Sequence, residues 1–482
     1  MASLSHHSLD VVVVGGGPAG VIAALRAARL GARTALITGD GLGGTAATDG
    51  PVPVRTLAHA ARLIREARQL PRYGITAGEP ALDYQRLVDR VREVTEDVRA
   101  HSVLREELQQ SGIDIYEHAG AARFVDPHLI ESEHAPPVRA EKFIICTGGM
   151  SRRLDLPGFD LTCTHSNAWG FSSVPPSMLV IGAGATGVQV ASIFNAFGSQ
   201  VALFEAAPRI LMSEDRDVAT AVSSALQASG IRVLEEAGTI ERFESCPSGV
   251  RLVYTKSDTR EHIDATVAVV AAGWVANIAG LDLAAAGVQT DQRGYVRVDS
   301  QLRTTAAHIF AAGDITGHLM VVHEAVREGY LAATNAVLGS TSILPAEVSP
   351  IGSFTDPEYA SVGVTEAKAR NSGDVIVATE RFDSLARPII DDRPTGFCKL
   401  VVDRQLHTIL GCHIVGERAV ELAQLAAVAM ASGMKIEQLA LVPFSFPTYA
   451  NAIGRAAVRA ARNLDPHTGS TEDDLPFQAD VG

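Results

Sequence analysis

Glycine recurs with the same spacing at two places in this chain, Gly15-x-Gly17-x-x-Gly20 and Gly182-x-Gly184-x-x-Gly187. Each set follows a short apolar run, residues 11–14 or 178–181, and opens a longer one, residues 21–30 or 188–197. Short apolar run, glycine turn and longer apolar run read as strand, turn and helix. In such a βα unit the glycines permit a tight turn and let the backbone approach a pyrophosphate, which rests on the N-terminal dipole of the helix. One copy of the spacing arises by chance in any glycine-rich turn. Two copies in the same context point to two dinucleotides on one polypeptide, and so to an electron relay.

At about 100–200 residues per domain, a chain of 482 residues should form roughly three domains. Hydrophobic residues make up 46% and charged residues 20%, a mix that builds packed cores, so disorder is not the default. The net charge of −14, with no lysine-rich run, argues against nucleic acid as a partner. The most apolar stretches, residues 11–25 and 178–194, are interrupted by the glycine turns and fall short of a clean span of about 18 residues, so no integral membrane segment is expected. Residues 1–10 carry no basic segment before an apolar core and do not read as an export signal. The five cysteines, Cys146, Cys163, Cys246, Cys398 and Cys412, are scattered, without C-x-x-C or metal-ligand spacing. No metal site is expected, and the expected location is a reducing cytoplasm.

The expected fold class is α/β: two Rossmann-like dinucleotide-binding domains and a C-terminal α+β domain. Residues 1–152 form the first unit, closing on the strand and glycine turn of residues 141–149. Residues 153–274 form the second. Residues 275–346 carry another strand and turn at 309–314 and a helix from about 322 to 338, too little for a domain, and are expected to return and complete the first unit. Alternating strands and a helix then mark a third domain, residues 347–464, and the polar, acidic residues 465–482 read as a disordered tail.

From about residue 10 to 460 these pieces resemble, in this order, the flavoprotein pyridine nucleotide-disulfide oxidoreductases, the family of dihydrolipoamide dehydrogenase, glutathione reductase and mercuric reductase. The resemblance rests on both glycine sets, Gly43-Gly44-Thr45, Thr147-Gly148, Ala312-Gly313-Asp314, Phe354-Thr355-Asp356-Pro357-Glu358 and Ser361-Val362-Gly363. It implies FAD in the first domain, NAD(P)H in the second and a homodimer built by the C-terminal domain. It also implies that Asp314 holds the ribityl chain and that the helix starting near Val322-His323 aims its N-terminus at the flavin ring, a favourable place for negative charge. The plainer reading of His323 is a helix-start residue. The candidate cofactor-binding residues are Gly15, Gly17, Gly20, Thr38, Gly44, Thr45, Arg55, Gly120, Thr147, Gly148, Asp314, Val322, Gly182, Gly184, Gly187, Glu205, Ile240 and Gly273.

Where the family carries its redox disulfide, C-x-x-x-x-C after Gly-Gly-Thr, this chain has Ala46 and Pro51. Neither forms a thiolate, so dithiol exchange is not expected at this position, and disulfide, lipoamide and mercuric substrates are disfavoured. The family's His-Pro-Thr…Glu acid, contributed across the dimer, is also replaced: the stretch reads Phe446-Pro447-Thr448-Tyr449-Ala450-Asn451. Without a leaving thiolate the acid has no proton to deliver. Phe446 and Tyr449 are expected to line an apolar acceptor side, suited to a quinone or to a nicotinamide ring, or else to pack the dimer. A family lysine beside the flavin and its glutamate partner become Arg55 and Gln189. Positive charge stays while the carboxylate becomes a neutral amide, which should raise the flavin potential.

Glu205 ends the strand of residues 201–204, 18 residues after Gly187, close to the spacing of about 20 at which an acid takes the ribose hydroxyls of NAD. NADH is therefore the expected donor, although Arg209 is near enough in sequence to admit a 2′-phosphate. In the first unit the matching strand ends at Thr38, with Asp40 just beyond, and either can meet the FAD ribose. The expected activity is hydride transfer from NAD(P)H to FAD and on to a non-disulfide acceptor such as a quinone, with Arg55, Gln189, His323, Phe446 and Tyr449 as candidate catalytic residues. A soluble pyridine nucleotide transhydrogenase is the alternative, resembled at Gly416-Glu417-Arg418-Ala419 and Phe446-Pro447-Thr448-Tyr449. A flavin-bearing partner of another redox protein is a third.

Overall fold

The computed structural model describes residues 9–100, 103–339, 342–344 and 348–464; the expected tail, residues 465–482, lies outside the described residues. The chain forms two compact units, one of Met1–Leu57, Asp83–Arg153 and Gly273–Ala346, the other of Ala58–Leu82, Leu154–Ala272 and Glu347–Gly482.

In the first unit a parallel sheet runs Asp114–Tyr116, Thr34–Ile37, Leu9–Val14, Val138–Ile145, Ile309–Ala311. The antiparallel strands Ala122–Asp126 and Leu129–Ser132 extend it from the start of Val138–Ile145. Four consecutive valines form its centre because this strand is covered on both faces. Val11 and Val13 pack with helices Pro18–Arg29 and Val322–Leu338, whereas Val12 and Val14 pack with Phe124, Phe143 and Tyr295. Helix Val322–Leu338 lies so close to Pro18–Arg29 that a β-carbon on Gly329 would stand 2.2 Å from the Ala19 carbonyl oxygen.

The second unit contains a parallel sheet ordered Arg232–Leu234, Gln200–Phe204, Ser177–Ile181, Val267–Val270, Cys163–Thr164, and a three-stranded antiparallel sheet, Thr239–Cys246, Gly249–Lys256, Thr259–Ala265. Its third sheet is antiparallel, Ile351–Ser353, Tyr359–Gly363, Ile409–Val415, Phe397–Asp403, Val375–Arg381. Helices Ala419–Ala431 and Asn451–Leu464 present Leu422, Ala423, Ala426, Ile453, Ala456 and Ala457 to that sheet's core, the alanines allowing close approach. Helix Pro51–Gln69 is tied into this unit by its later turns. Arg65 donates to the Ser192 carbonyl (2.8 Å) and hydroxyl (2.9 Å) and pairs with Asp356 at 3.2 Å, while Arg62 pairs with Glu417 at 2.7 Å.

Candidate functional site

The first glycine turn joins strand Leu9–Val14 to helix Pro18–Arg29. Gly15 has φ +114°, and a β-carbon there would meet the Cys146 carbonyl oxygen at 2.2 Å; one on Gly20 would meet the Gly15 carbonyl oxygen at 1.8 Å. Gly17 differs: only the Gly44 Cα comes within 4 Å, at 3.9 Å, so its face is left open. Gly17 caps the helix with no side-chain hydrogen bond, and the first helical N–H groups are left for an anion. The other first-unit candidates converge here. A β-carbon on Gly16 would meet Thr38 Oγ1 at 2.7 Å, one on Gly44 would meet the Gly17 Cα at 2.8 Å, one on Gly313 would meet the Ala19 Cβ at 3.1 Å, and one on Gly149 would meet the Asp314 Cβ at 3.4 Å. Next to Gly149, the Thr147 hydroxyl donates to the Asn277 carbonyl at 2.8 Å, and the Gly148 carbonyl accepts the Asn277 N–H at 2.9 Å. This cradle of glycines and an uncapped helix end, with polar residues along it, fits a dinucleotide such as FAD.

Thr38 is buried and its hydroxyl donates to the Gly41 carbonyl at 2.6 Å, which leaves its oxygen able to accept but not to donate; Asp40 is exposed. Gly120, at φ +72°, lies where a β-carbon on Gly39 would meet its carbonyl oxygen at 3.2 Å. Thr45 lies in the short helix Gly44–Thr48, and its carbonyl accepts N–H bonds from Asp49 and Gly50. Asp314 opens a single 3-10 turn, and burial, reinforced by the Glu328 charge, pushes its carboxyl up to about 6. Val322 and His323 are exposed at the start of helix Val322–Leu338, whose N-cap, Val321, offers no side-chain bond.

The second turn repeats the first. Gly182 has φ +93°, a β-carbon on Gly187 would stand 1.8 Å from the Gly182 carbonyl oxygen, and one on Gly184 would meet nothing within 4 Å. Glu205 is turned onto this loop: one carboxylate oxygen accepts the Ala183 N–H and the other the Ala207 N–H, both at 2.8 Å. Each oxygen keeps a lone pair for a ribose hydroxyl. Arg209 commits its terminal nitrogens to the carbonyls of Ile210, Leu211, Met212 and Glu214. Ile240 pairs with Tyr254 across two strands and packs on the core around Phe204. A β-carbon on Gly273, at φ +100°, would meet nothing within 4 Å.

The candidate catalytic residues lie in unlike settings. Arg55 is exposed on helix Pro51–Gln69. Gln189 donates to the Ala185 carbonyl at 3.0 Å and accepts the Phe354 N–H at 3.3 Å, so its amide joins helix Ala185–Ala196 to the third sheet's domain. Phe446 is 61% exposed, but Tyr449 is only 7% exposed. The Tyr449 ring packs beside Phe382, and its hydroxyl donates to Asp391 at 3.1 Å. Tyr449 is therefore a core residue rather than an exposed lining: a buried phenol needs a partner, and Asp391 supplies it. Ala46 sits inside helix Gly44–Thr48 and Pro51 begins helix Pro51–Gln69. All five cysteines are free. Among the described residues no metal-ligating cluster occurs and no helix is long and apolar enough to cross a membrane.

Two buried polar groups escaped the sequence reading. Lys399, 1% exposed on strand Phe397–Asp403, contacts Asp215 at 2.8 Å, Asp217 at 2.8 Å and Glu366 at 2.5 Å. Asp215 also caps helix Arg216–Ala228, accepting the Asp217 N–H at 3.1 Å. The signal was available as one charge within the apolar run of residues 398–402. Glu328, 1% exposed, accepts the Gly313 N–H at 2.7 Å and meets His318 Nδ1 at 2.7 Å, bracing the turn that carries Asp314. The corresponding signal was weaker, because the same buried helix face also carries Glu324 and Asn335.

Comparisons with known proteins show the family of the chain. The family description "Pyridine nucleotide-disulphide oxidoreductase" matches residues 9–329, and that family's dimerisation domain matches residues 349–457. A dihydrolipoyl dehydrogenase of Zymomonas mobilis is 31% identical over 461 residues, 94% of this chain and 97% of its own length. A mercuric reductase of Lysinibacillus sphaericus is 30% identical over 96% of this chain and 85% of its own. Among solved structures, the HOCl-induced flavoprotein disulfide reductase RclA from Escherichia coli superposes with a TM-score of 0.81 at 25% identity, covering 93% of this chain and 99% of that one.

Proposed function

This chain belongs to the pyridine nucleotide-disulphide oxidoreductases, FAD-dependent enzymes that use NAD(P)H, and from that premise we propose that it passes electrons from NADH to a non-disulfide acceptor, a quinone or similar small oxidant. The reading is carried by the segment after Gly43-Gly44-Thr45, where the resemblance puts the family's redox cysteines and this chain has Ala46 and Pro51, and it is supported by the five free cysteines of the chain. Bound FAD supplies the chemistry that takes a hydride from a reduced nicotinamide and hands the electron pair to a second acceptor. The residues of the chain bind and orient. Residues 1–152 with 275–346 hold FAD on the first glycine turn, Thr38, Gly44, Thr45, Thr147 and Asp314, and residues 153–274 hold the nicotinamide dinucleotide on the second turn and Glu205. Residues 347–464 form the dimer, which the dimerisation-domain match supports. Asp314, with its carboxyl pushed up to about 6 by burial and the Glu328 charge, is mostly ionised at neutral pH and would accept a hydrogen bond from a ribityl hydroxyl.

NADH is favoured because Glu205 repels a 2′-phosphate while Arg209 is committed to backbone carbonyls. Phe446, apolar and exposed where the family carries its acid, suits an aromatic oxidant that needs no proton from the protein at that point. The setting we propose is the cytoplasm, in keeping with five unpaired thiols. The transhydrogenase reading has its own support in Gly416-Glu417-Arg418-Ala419, but it requires efficient use of NADPH, which Glu205 opposes. Stopped-flow reduction by NADH and by NADPH, followed by reoxidation with a quinone, thio-NADP and oxygen, separates the readings. The proposal expects NADH to reduce faster and the quinone to reoxidise fastest. Rapid reoxidation by the NADP analogue alone would establish the transhydrogenase, and slow reoxidation by every small molecule would point to a protein acceptor.

A further inference from the structure

Helix Tyr84–Ala100 ends beside the Gly43-Gly44 turn and brings one arginine with it. A β-carbon on Gly43 would stand 3.9 Å from both Cγ and Nε of Arg99. Gly43 is itself bonded to the first glycine loop, its N–H donating to the Gly16 carbonyl at 2.9 Å, and Gly44 abuts Gly17. Arg99 therefore packs against the turn that adjoins the first glycine loop, whose open glycine and uncapped helix N-terminus suit an anion. Its own hydrogen bonding is incomplete. The Nε is out of solvent without a hydrogen-bond partner, and among the described residues Arg99 forms no ion pair. A guanidinium cannot relieve that situation by losing its proton, and a buried charged N–H without an acceptor is costly. The group that best answers it is one of high negative charge with several acceptor oxygens, matched to the planar guanidinium fork.

We propose that Arg99 is a cofactor-binding residue, its guanidinium taking an oxygen of the FAD pyrophosphate at the Gly15–Gly20 turn. The inference rests on the assignment of FAD to that turn. Its competitor is a purely local role: a cation in the last turn of a helix favours the helix dipole wherever it points. The two differ in what they do to the cofactor. A phosphate contact adds a charge-assisted bond and a salt-dependent term to FAD affinity, whereas a helix-end charge stabilises the chain with or without FAD.

The test uses the full-length holoenzyme, with FAD release followed by the rise in flavin fluorescence on dilution across a range of KCl concentrations. Arg99→Met is expected to release FAD about tenfold faster or more, with a flatter salt dependence than the wild type. Arg99→Lys, which keeps the stem and the charge but loses the fork, should fall between the two and guards against a variant that fails to fold. Release at the wild-type rate with the wild-type salt dependence in Arg99→Met would overturn the inference. So would an equal drop in melting temperature of the FAD-loaded and FAD-free forms with release unchanged. A wild-type chain that purifies without flavin would refute the cofactor assignment itself, a result distinguishable from either.

Discussion

Within each glycine set the three positions do different physical work, and single methyl groups should tell them apart. Gly187 touches the Gly182 carbonyl and Gly184 faces open space at an ordinary φ of −75°. Gly187→Ala should misfold the turn and lower the melting temperature by several degrees, because its β-carbon has nowhere to go. Gly184→Ala should leave the melting temperature unchanged yet raise the KM for NADH about tenfold or more, the methyl group occupying the approach of the pyrophosphate. Equal effects of the two substitutions on stability would contradict this division. Glu205→Ala should narrow the preference for NADH over NADPH, read as the ratio of kcat/KM values, and an unchanged ratio would remove Glu205 from donor selection. At this scale much was legible in the sequence, since spacing and strand context identify a glycine turn. The setting of Tyr449 was not, because a ring two residues past a proline gives no sign of which way it turns, and packing against Phe382 decided it.

Between elements, the buried charges of the second unit matter most. Burial works against the Asp215 charge, but the Lys399 hydrogen bond, with the Glu366 and Asp217 N–H groups, holds its carboxyl below the usual carboxylate range. Burial likewise disfavours the Lys399 charge, and Asp215, Asp217 and Glu366 more than reverse this. The acid, depressed on folding, contributes stability that is complete above its ordinary value near 3.8 and is lost as pH falls through its folded value. The lysine, raised on folding, contributes fully below 10.5 and loses that contribution as pH rises through its folded value. Lys399→Met should destabilise the protein by about 3 kcal/mol in urea at pH 7, because it leaves Asp215 buried without its counter-charge. An unchanged midpoint would show that the network is dispensable. Glu358 runs the other way. Burial, then the neighbouring Glu417, push its carboxyl up to about 7, so its contribution falls as pH rises from 4.5 through that value. Glu358→Gln should therefore raise the melting temperature at pH 8 and not at pH 4; the same difference at both would show that Glu358 does not titrate in this way. The strands and helices carrying these groups follow from apolar patterning, but Lys399 meets partners 184 and 33 residues away, which periodicity cannot register.

For the whole molecule, the order of motifs along the chain was the most legible feature. Two βα units, then a short segment returning to the first, then an α+β domain describe a fold whose family matches cover residues 9–329 and 349–457. The donor half of the reaction is written in that order. The acceptor half, as proposed, depends on reading Ala46 and Pro51 as replacing two cysteines and Phe446 as replacing a histidine, and such a replacement says which chemistry is lost without naming what takes its place. In the proposed reaction electrons leave the flavin without passing through a dithiol. Anaerobic titration of the full-length holoenzyme with dithionite tests it by counting electrons: a flavin alone accepts two, and a flavin with an exchanging disulfide accepts four. Complete reduction is expected at two electrons per FAD, with no new thiols appearing on alkylation. Uptake of four electrons per FAD, with two thiols gained, would contradict it.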